Sequence, residues 1–442
     1  MQKKKKLAIF CDGTWNDLRM KTLTNVARLA KCVASETSNG VPQIVYYDEG
    51  VGVATGVSRL TNELTKLLGG AFGNGLDQKI EAAYRFLVSN YNPGDDIYIF
   101  GFSRGAYTAR SLCGLVRKCG ILKRSQFDKT PRAMELYRNG EHPSAPAMVE
   151  FRRAYAHEQA SGEEDHKRLG LALEPVPPGA ATDYESLYQY RPEGTYRMMY
   201  LGVWDTVGSM GVPERFGPLN FLNKKYQFHD TNVSSLIASV RHAVSIDEDR
   251  RVFGSTGMDN IGDLNRDWTA KTTGWDVQNP QAPNFVPYSY RPYQQLWFPG
   301  DHGAVGGGNA QPGLSSRTLI WIAEGAERMG LHFRWTCPPD EPALELELAA
   351  ARLDPCANWR VNKDGSLKKP KERDFLGKVG GYRPRPGPRQ LEDVSDFAWQ
   401  RWCRDTGYRP ENLSVLKGAS CPPPLPPRPP AGFPPSPPSS PP

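Results

Sequence analysis

Apolar positions along the chain follow two alternating rhythms. Short unbroken runs at 7–10, 41–48, 97–100, 198–204 and 295–298 predict buried strands, each closed by Gly, Asp or Pro. Between them, 25–34, 75–91, 106–117, 233–246 and 314–329 carry apolar residues three or four apart and predict helices. In 75–91 the residues Ile80, Ala83, Tyr84, Leu87 and Val88 share one face, and Asn92-Pro93-Gly94 ends the helix. Strands alternating with helices predict an α/β fold, a mostly parallel sheet with helices on both faces. Residues 120–195 are polar and break the alternation, and we expect a cap or lid insertion there, within a catalytic domain at 1–335. Beyond it, 336–420 reads as a basic, irregular extension, and 421–442, with thirteen prolines after Cys421, as a disordered proline-rich tail.

Composition narrows the class. At 442 residues, 39% hydrophobic and 23% charged, the chain fits an ordinary globular protein and excludes collagen, coiled coil and a disordered polymer. No apolar run approaches the roughly 18 residues of a membrane span, and only five apolar residues, Leu7 to Cys11, follow the basic start, so neither an anchor nor a Sec signal is expected. The eight cysteines are scattered, without a CxxC pair or zinc-ligand spacing, which predicts a reduced, cytoplasm-made protein holding no metal.

The net charge of +7 is local. Residues 360–389 hold ten Lys/Arg against three Asp/Glu, which accounts for the whole excess. Lys368-Lys369-Pro370-Lys371 and Arg383-Pro384-Arg385-Pro386 read as a solvated loop that would also suit an anionic membrane surface. No nucleic-acid module accompanies them, so a nucleic-acid partner is not expected. Pro423, Pro426 and Arg428 form a PxxPxR pattern of the kind SH3 domains bind, a match that proline-rich tails make easily.

The chemistry centres on Gly101-Phe102-Ser103-Arg104-Gly105. A GxSxG pattern alone is weak, but this one directly follows an apolar strand and precedes a helix, the setting of a nucleophile elbow. Two glycines let strand and helix approach closely, which lifts Ser103 to the sheet edge and aims the backbone N–H of Arg104 at a developing oxyanion. Asp12-Gly13-Thr14, after the first strand, offers Gly13 and Thr14 as further backbone donors. A haloacid-dehalogenase phosphatase also opens with such a turn, but its nucleophilic aspartate would fall at Phe10.

A serine nucleophile needs a base and an orienting acid. Of seven histidines, His302 follows a short strand and precedes Gly306 to Gly308, while His242 falls on the helix expected over 233–246. For the acid, Asp205 ends a strand and lies between Ser103 and His302, with Asp247 and Asp249 as alternatives.

Together, the motifs around Asp12-Gly13-Thr14-Trp15-Asn16, Gly101 to Tyr107, Val203-Trp204-Asp205-Thr206-Val207-Gly208, Arg241-His242-Ala243 and Phe298-Pro299-Gly300-Asp301-His302 resemble the catalytic domain of type VI secretion phospholipase effectors, an α/β-hydrolase family. The resemblance spans about residues 5–330, with Ala304 standing where the family often has an aspartate. It implies a serine hydrolase of glycerophospholipid acyl esters with Ser103 as nucleophile, Asp205 as acid and His302 as base, while its Arg-His-Ala element keeps His242 in play. Such an enzyme uses no cofactor. The resemblance also implies partners in a secretion apparatus or an immunity protein, and delivery to a target cell by a system needing no N-terminal signal. A soluble carboxylesterase and a catalytically silent binding protein on the same fold are the alternatives.

Overall fold

The computed structural model describes residues 4–13, 22–50, 71–171, 189–208, 232–270, 276–282, 284–308, 313–335 and 382–421. Its centre is a sheet of strands β1 (Lys6–Cys11), β2 (Gln43–Asp48), β3 (Asp96–Phe102), β4 (Arg197–Trp204), β5 (Ile237–Ser245) and β6 (Tyr293–Phe298). The order is β2-β1-β3-β4-β5-β6, and each neighbouring pair is parallel. The fold is therefore α/β, as the alternation predicts.

Side chains of a strand alternate between the two faces, and here both are covered. Leu7, Ile9, Ile97 and Ile99 pack on one side against α2 (Ala71–Asn90) and α3 (Arg104–Cys119). Ala8, Phe10, Tyr98 and Phe100 pack on the other, against α1 (Asn25–Cys32) and a later helix, Gly313–Arg328. Phe10 and Phe100, paired in register, stack with ring centroids 4.6 Å apart. Because β2 lies on one side of β1 and β3 on the other, the order of the parallel strands switches direction at the β1/β3 junction, the place where the carboxyl ends of such strands favour a binding crevice.

Three expectations change. Residues 237–245 form the strand β5, not a helix, and every one of them is buried. Ile237, Val240 and Val244 are spaced as on a helix, but they belong to a strand covered on both faces, where strict alternation is lost.

The described part of the 120–195 insertion is helical: α4 (Thr130–Arg138), α5 (Pro146–Tyr155) and α6 (Glu163–Leu169). Two of these, α4 and α5, pack against α3, with Tyr137 against Gly114. At 1.5 Å per residue, Gly114 lies about 16 Å along that helix from Ser103, so this contact is made toward the far end of α3. Arg152 and Asp165, both buried, pair at 2.8 Å and tie the insertion together.

The later helices complete the picture: α7 (Ile261–Ala270) against β6, α8 (His302–Gly306), α9 (Gly313–Arg328) and α10 (Asp396–Arg404). The last belongs to the supposedly irregular extension. Ser395 caps it by accepting the Ala398 N–H at 3.2 Å, and Val394, Ala398, Tyr408, Leu413 and Leu416 form a small core with Val244, Ile246 and Trp297 of the sheet. Finally, Cys403 and Cys421 form a disulfide, whereas the sequence suggested only reduced cysteines. Spacing alone carries no information about the approach of two Cα atoms, here 5.8 Å. Lys368 to Lys371 and the proline-rich tail lie outside the described residues.

Candidate active site

Ser103 sits between β3 and α3 at φ 58° and ψ −120°, a left-handed backbone that a non-glycine residue adopts only when its surroundings hold it there. Its N–H donates to Trp204 O at 3.0 Å and its carbonyl accepts the Tyr107 N–H at 3.3 Å, so strand β4 and the first turn of α3 fix it from both sides. A Cβ on Gly105 would enter the carbonyls of Cys11 and Asp12, and one on Gly101 would lie 2.7 Å from the backbone of Ala106. Glycine at these two positions is what permits the tight strand-to-helix turn.

His302 arrives from the sheet's far edge, at the start of α8. Asp301 caps that helix, accepting the Ala304 N–H at 2.8 Å, while the backbone N–H of His302 donates to Glu248 Oε2 at 3.2 Å. The imidazole is held between the rings of Phe102 and Phe253, at 4.6 and 4.7 Å. Its Nε2 lies 2.8 Å from Ser103 Oγ and its Nδ1 lies 2.5 Å from Asp205 Oδ2. Serine, histidine and aspartate thus form one chain of hydrogen bonds, the arrangement that moves a proton off a hydroxyl onto a ring held by a carboxylate.

Asp205, fully buried after β4, has φ 39°. Burial on its own would raise its carboxyl, but the charge of Arg385 and the hydrogen bonds from His302 and Arg385 outweigh it and hold the group well below the usual carboxylate range. Arg385 clamps both oxygens, Nη1 to Oδ1 at 2.6 Å and Nη2 to Oδ2 at 2.9 Å, and its side chain is 4% exposed. Sequence reasoning assigned this arginine to a solvated or lipid-facing segment.

His242 has a different place. It accepts the Thr206 N–H on Nε2 at 3.2 Å, which leaves Nδ1 to donate to Gln295 Oε1 at 2.8 Å. Burial first, then the charge of Arg110, pull it down to about 3, so it stays neutral. The structure brings His302, not His242, to Ser103. Of the alternative acids, Asp247 binds the Gly300 N–H and the Tyr408 hydroxyl, at 2.7 and 2.9 Å, and Asp249 meets the Arg383 N–H through its carbonyl at 2.6 Å.

At the β1 end, the Gly13 N–H donates to Asp12 Oδ1 at 2.6 Å and so is engaged by its neighbour instead of facing an incoming oxyanion. Asp12 also accepts the hydroxyls of Thr24 and Tyr47, at 2.5 and 2.7 Å, which makes it the organiser of that loop, a role the sequence did not suggest. Thr14 lies outside the described residues. Arg104 opens α3 directly after Ser103, where the helix N-terminus favours a developing negative charge. Among the described residues no cluster of His, Cys, Asp and Glu suits a metal ion, and no helix is long and apolar enough to cross a membrane.

Several known proteins are similar to this chain. An uncharacterized protein of Saccharomyces cerevisiae, YEL023C, is 30% identical over 257 residues, which cover 56% of this chain and 32% of that one. Among solved structures, an uncharacterized protein from Pseudomonas aeruginosa aligns at TM-score 0.40 and 16% identity, covering 78% of this chain and 49% of its own. The Tle1 effector bound to the VgrG spike from the type 6 secretion system aligns at TM-score 0.31 and 16% identity, covering 69% and 51%. The chain therefore spans about a third of the yeast relative and about half of each structure. Residues 5–325 match the family model described as T6SS, phospholipase effector Tle1-like, catalytic domain, and with that extent of match the chain belongs to this family.

Proposed function

We propose that the protein is a serine ester hydrolase that cleaves phospholipid acyl esters through an acyl-enzyme on Ser103. The observation that carries this reading is the continuous Ser103–His302–Asp205 hydrogen-bond chain on a strained strand-to-helix turn. Membership in a family of phospholipase effectors supports lipid ester as the substrate class.

In this mechanism His302 takes the Ser103 proton as Oγ attacks the ester carbonyl, and Asp205 holds the resulting imidazolium. The N–H of Arg104 binds the tetrahedral oxyanion. Gly13 becomes a second donor only if its N–H turns away from Asp12, and Thr14 is the remaining candidate for that place. Collapse expels the lysolipid with the proton returned by His302; water, deprotonated by the same ring, then releases the fatty acid. No cofactor enters these steps.

Family membership also supports delivery by a secretion apparatus, with a component of it as a partner. The Cys403–Cys421 disulfide supports a non-reducing destination for the folded protein. An anionic membrane surface remains part of the reading, met by exposed arginines such as Arg383 and Arg389 and not by the buried Arg385.

The test is hydrolysis of anionic phospholipid vesicles and of short-chain p-nitrophenyl esters, with S103A as control. Ser103-dependent release of fatty acid from vesicles is the expected result. Activity confined to soluble esters would move the protein to the carboxylesterases, and inactivity on both would overturn the hydrolase reading in favour of a silent binding fold.

A further inference from the structure

Arg385 lies 180 residues beyond Asp205 in the chain yet grips it with a two-pronged fork inside the protein. The same guanidinium donates to the carbonyls of Ser245, at 3.2 Å, and Phe253, at 2.5 Å, so its plane is fixed independently of Asp205. Asp205 Oδ1 also accepts the Ser245 N–H at 3.0 Å, which leaves Oδ2 to share between Arg385 and His302. A carboxylate so held has one orientation, and in it Oδ2 points at the imidazole.

The arginine is delivered by a segment with its own reasons to be in place. Tyr408 and Arg401 converge on Asp247, the Asn412 amide donates to Ile246 O at 2.8 Å, and the Ser395 N–H donates to Trp297 O at 3.0 Å. The disulfide closes the segment's end onto α10. Gly387 lies against the backbone of Asn412, so the extended segment carrying Arg385 is packed against the segment that holds this small core.

We propose that Arg385 is a positioning residue of the Ser103–His302–Asp205 chain, and that segment 382–421 is a working part of the active site because it supplies this side chain. The proposal rests on the serine-hydrolase reading above. A bidentate arginine fixes a carboxylate plane in a way that lysine, a point charge, does not. It also offsets the negative charge that His302 sees. Among the described residues, the charged and titratable groups that face Asp205 and His302 include Arg385, the neutral His242 with Arg110 beside it, and Glu248, which accepts the His302 N–H. Removing Arg385 therefore frees the Asp205 carboxylate to turn away from the imidazole.

The experiment compares full-length wild type, R385M, R385K and S103A for ester hydrolysis and fluorophosphonate labelling from pH 5 to 9, with thermal melting as the folding control. The expected result is a kcat about 100-fold lower in R385M with KM nearly unchanged, and about a 10-fold loss in R385K. A folded R385M with wild-type kcat would overturn the proposal. If R385M does not fold, R385K decides: an undiminished kcat overturns the fork, and a loss at constant KM supports it. Failure of the wild type to be labelled, or hydrolysis surviving in S103A, would instead defeat the serine reading, an outcome separate from either.

Discussion

His242 accepts the backbone N–H of Thr206, at 3.2 Å, one residue past the aspartate that meets His302. His242, on β5, thereby fixes the start of the loop leaving β4 while His302, at the start of α8, faces the nucleophile.

This neutral, buried role has a pH signature. His242 is held at about 3 in the folded protein against 6.5 ordinarily, so between those values the unfolded chain binds the extra proton and the folded one does not. Stability contributed by this site is complete above pH 6.5 and declines as pH falls toward 3, with a slope no steeper than about 1.4 kcal/mol per unit. H242Q should lose about 1 to 3 kcal/mol at pH 7, keep Ser103-dependent activity, and show a shallower decline between pH 6 and 4 in urea titrations. An unchanged slope would refute this assignment.

Replacing Gly105 by alanine should prevent stable folding. The new methyl would meet the Cys11 carbonyl carbon at 2.6 Å, and both β1 and α3 are anchored in the core and cannot retreat. We expect little soluble protein and, in what remains, a lowered melting temperature together with loss of fluorophosphonate labelling. Normal melting in G105A would show that the turn is less constrained than described.

D205N keeps the shape of the acid but removes its charge, so both the imidazolium support and the ionic half of the Arg385 fork disappear. The expected loss in kcat is on the order of 10³ to 10⁴, with KM moving far less. A D205N enzyme within tenfold of wild type would reassign the acid.

Reduction of Cys403–Cys421 opens a link between residues 18 apart. In the chain-entropy account a loop near this size contributes about 3 kcal/mol. The C403S/C421S pair should melt several degrees lower, and reductant should lower the wild type to the same point without affecting the pair. Insensitivity of the wild type to reductant would mean that the bond is not formed in solution.

Much of the site was legible because its parts are local. The elbow is written as apolar run, Gly-x-Ser-x-Gly and helix, and His302 follows its own strand. His242 was misplaced because Ile237, Val240 and Val244 imitate a helical stripe within a strand buried on both faces. Arg385 could not be read at all. Between prolines and beside other arginines it has the composition of a solvated loop, and no spacing rule connects it to Asp205. The nearest hint was the apolar set Val394, Ala398, Leu413 and Leu416, which marks a segment able to pack.

The arrangement of the Arg385 fork also bears on how the protein matures. Ser103, Asp205 and His302 all precede Arg385 in the chain, so all three leave a ribosome before it. A nascent chain holding the first three would have a loosely held carboxylate, and competence would come as a late event, when segment 382–421 docks and closes its disulfide.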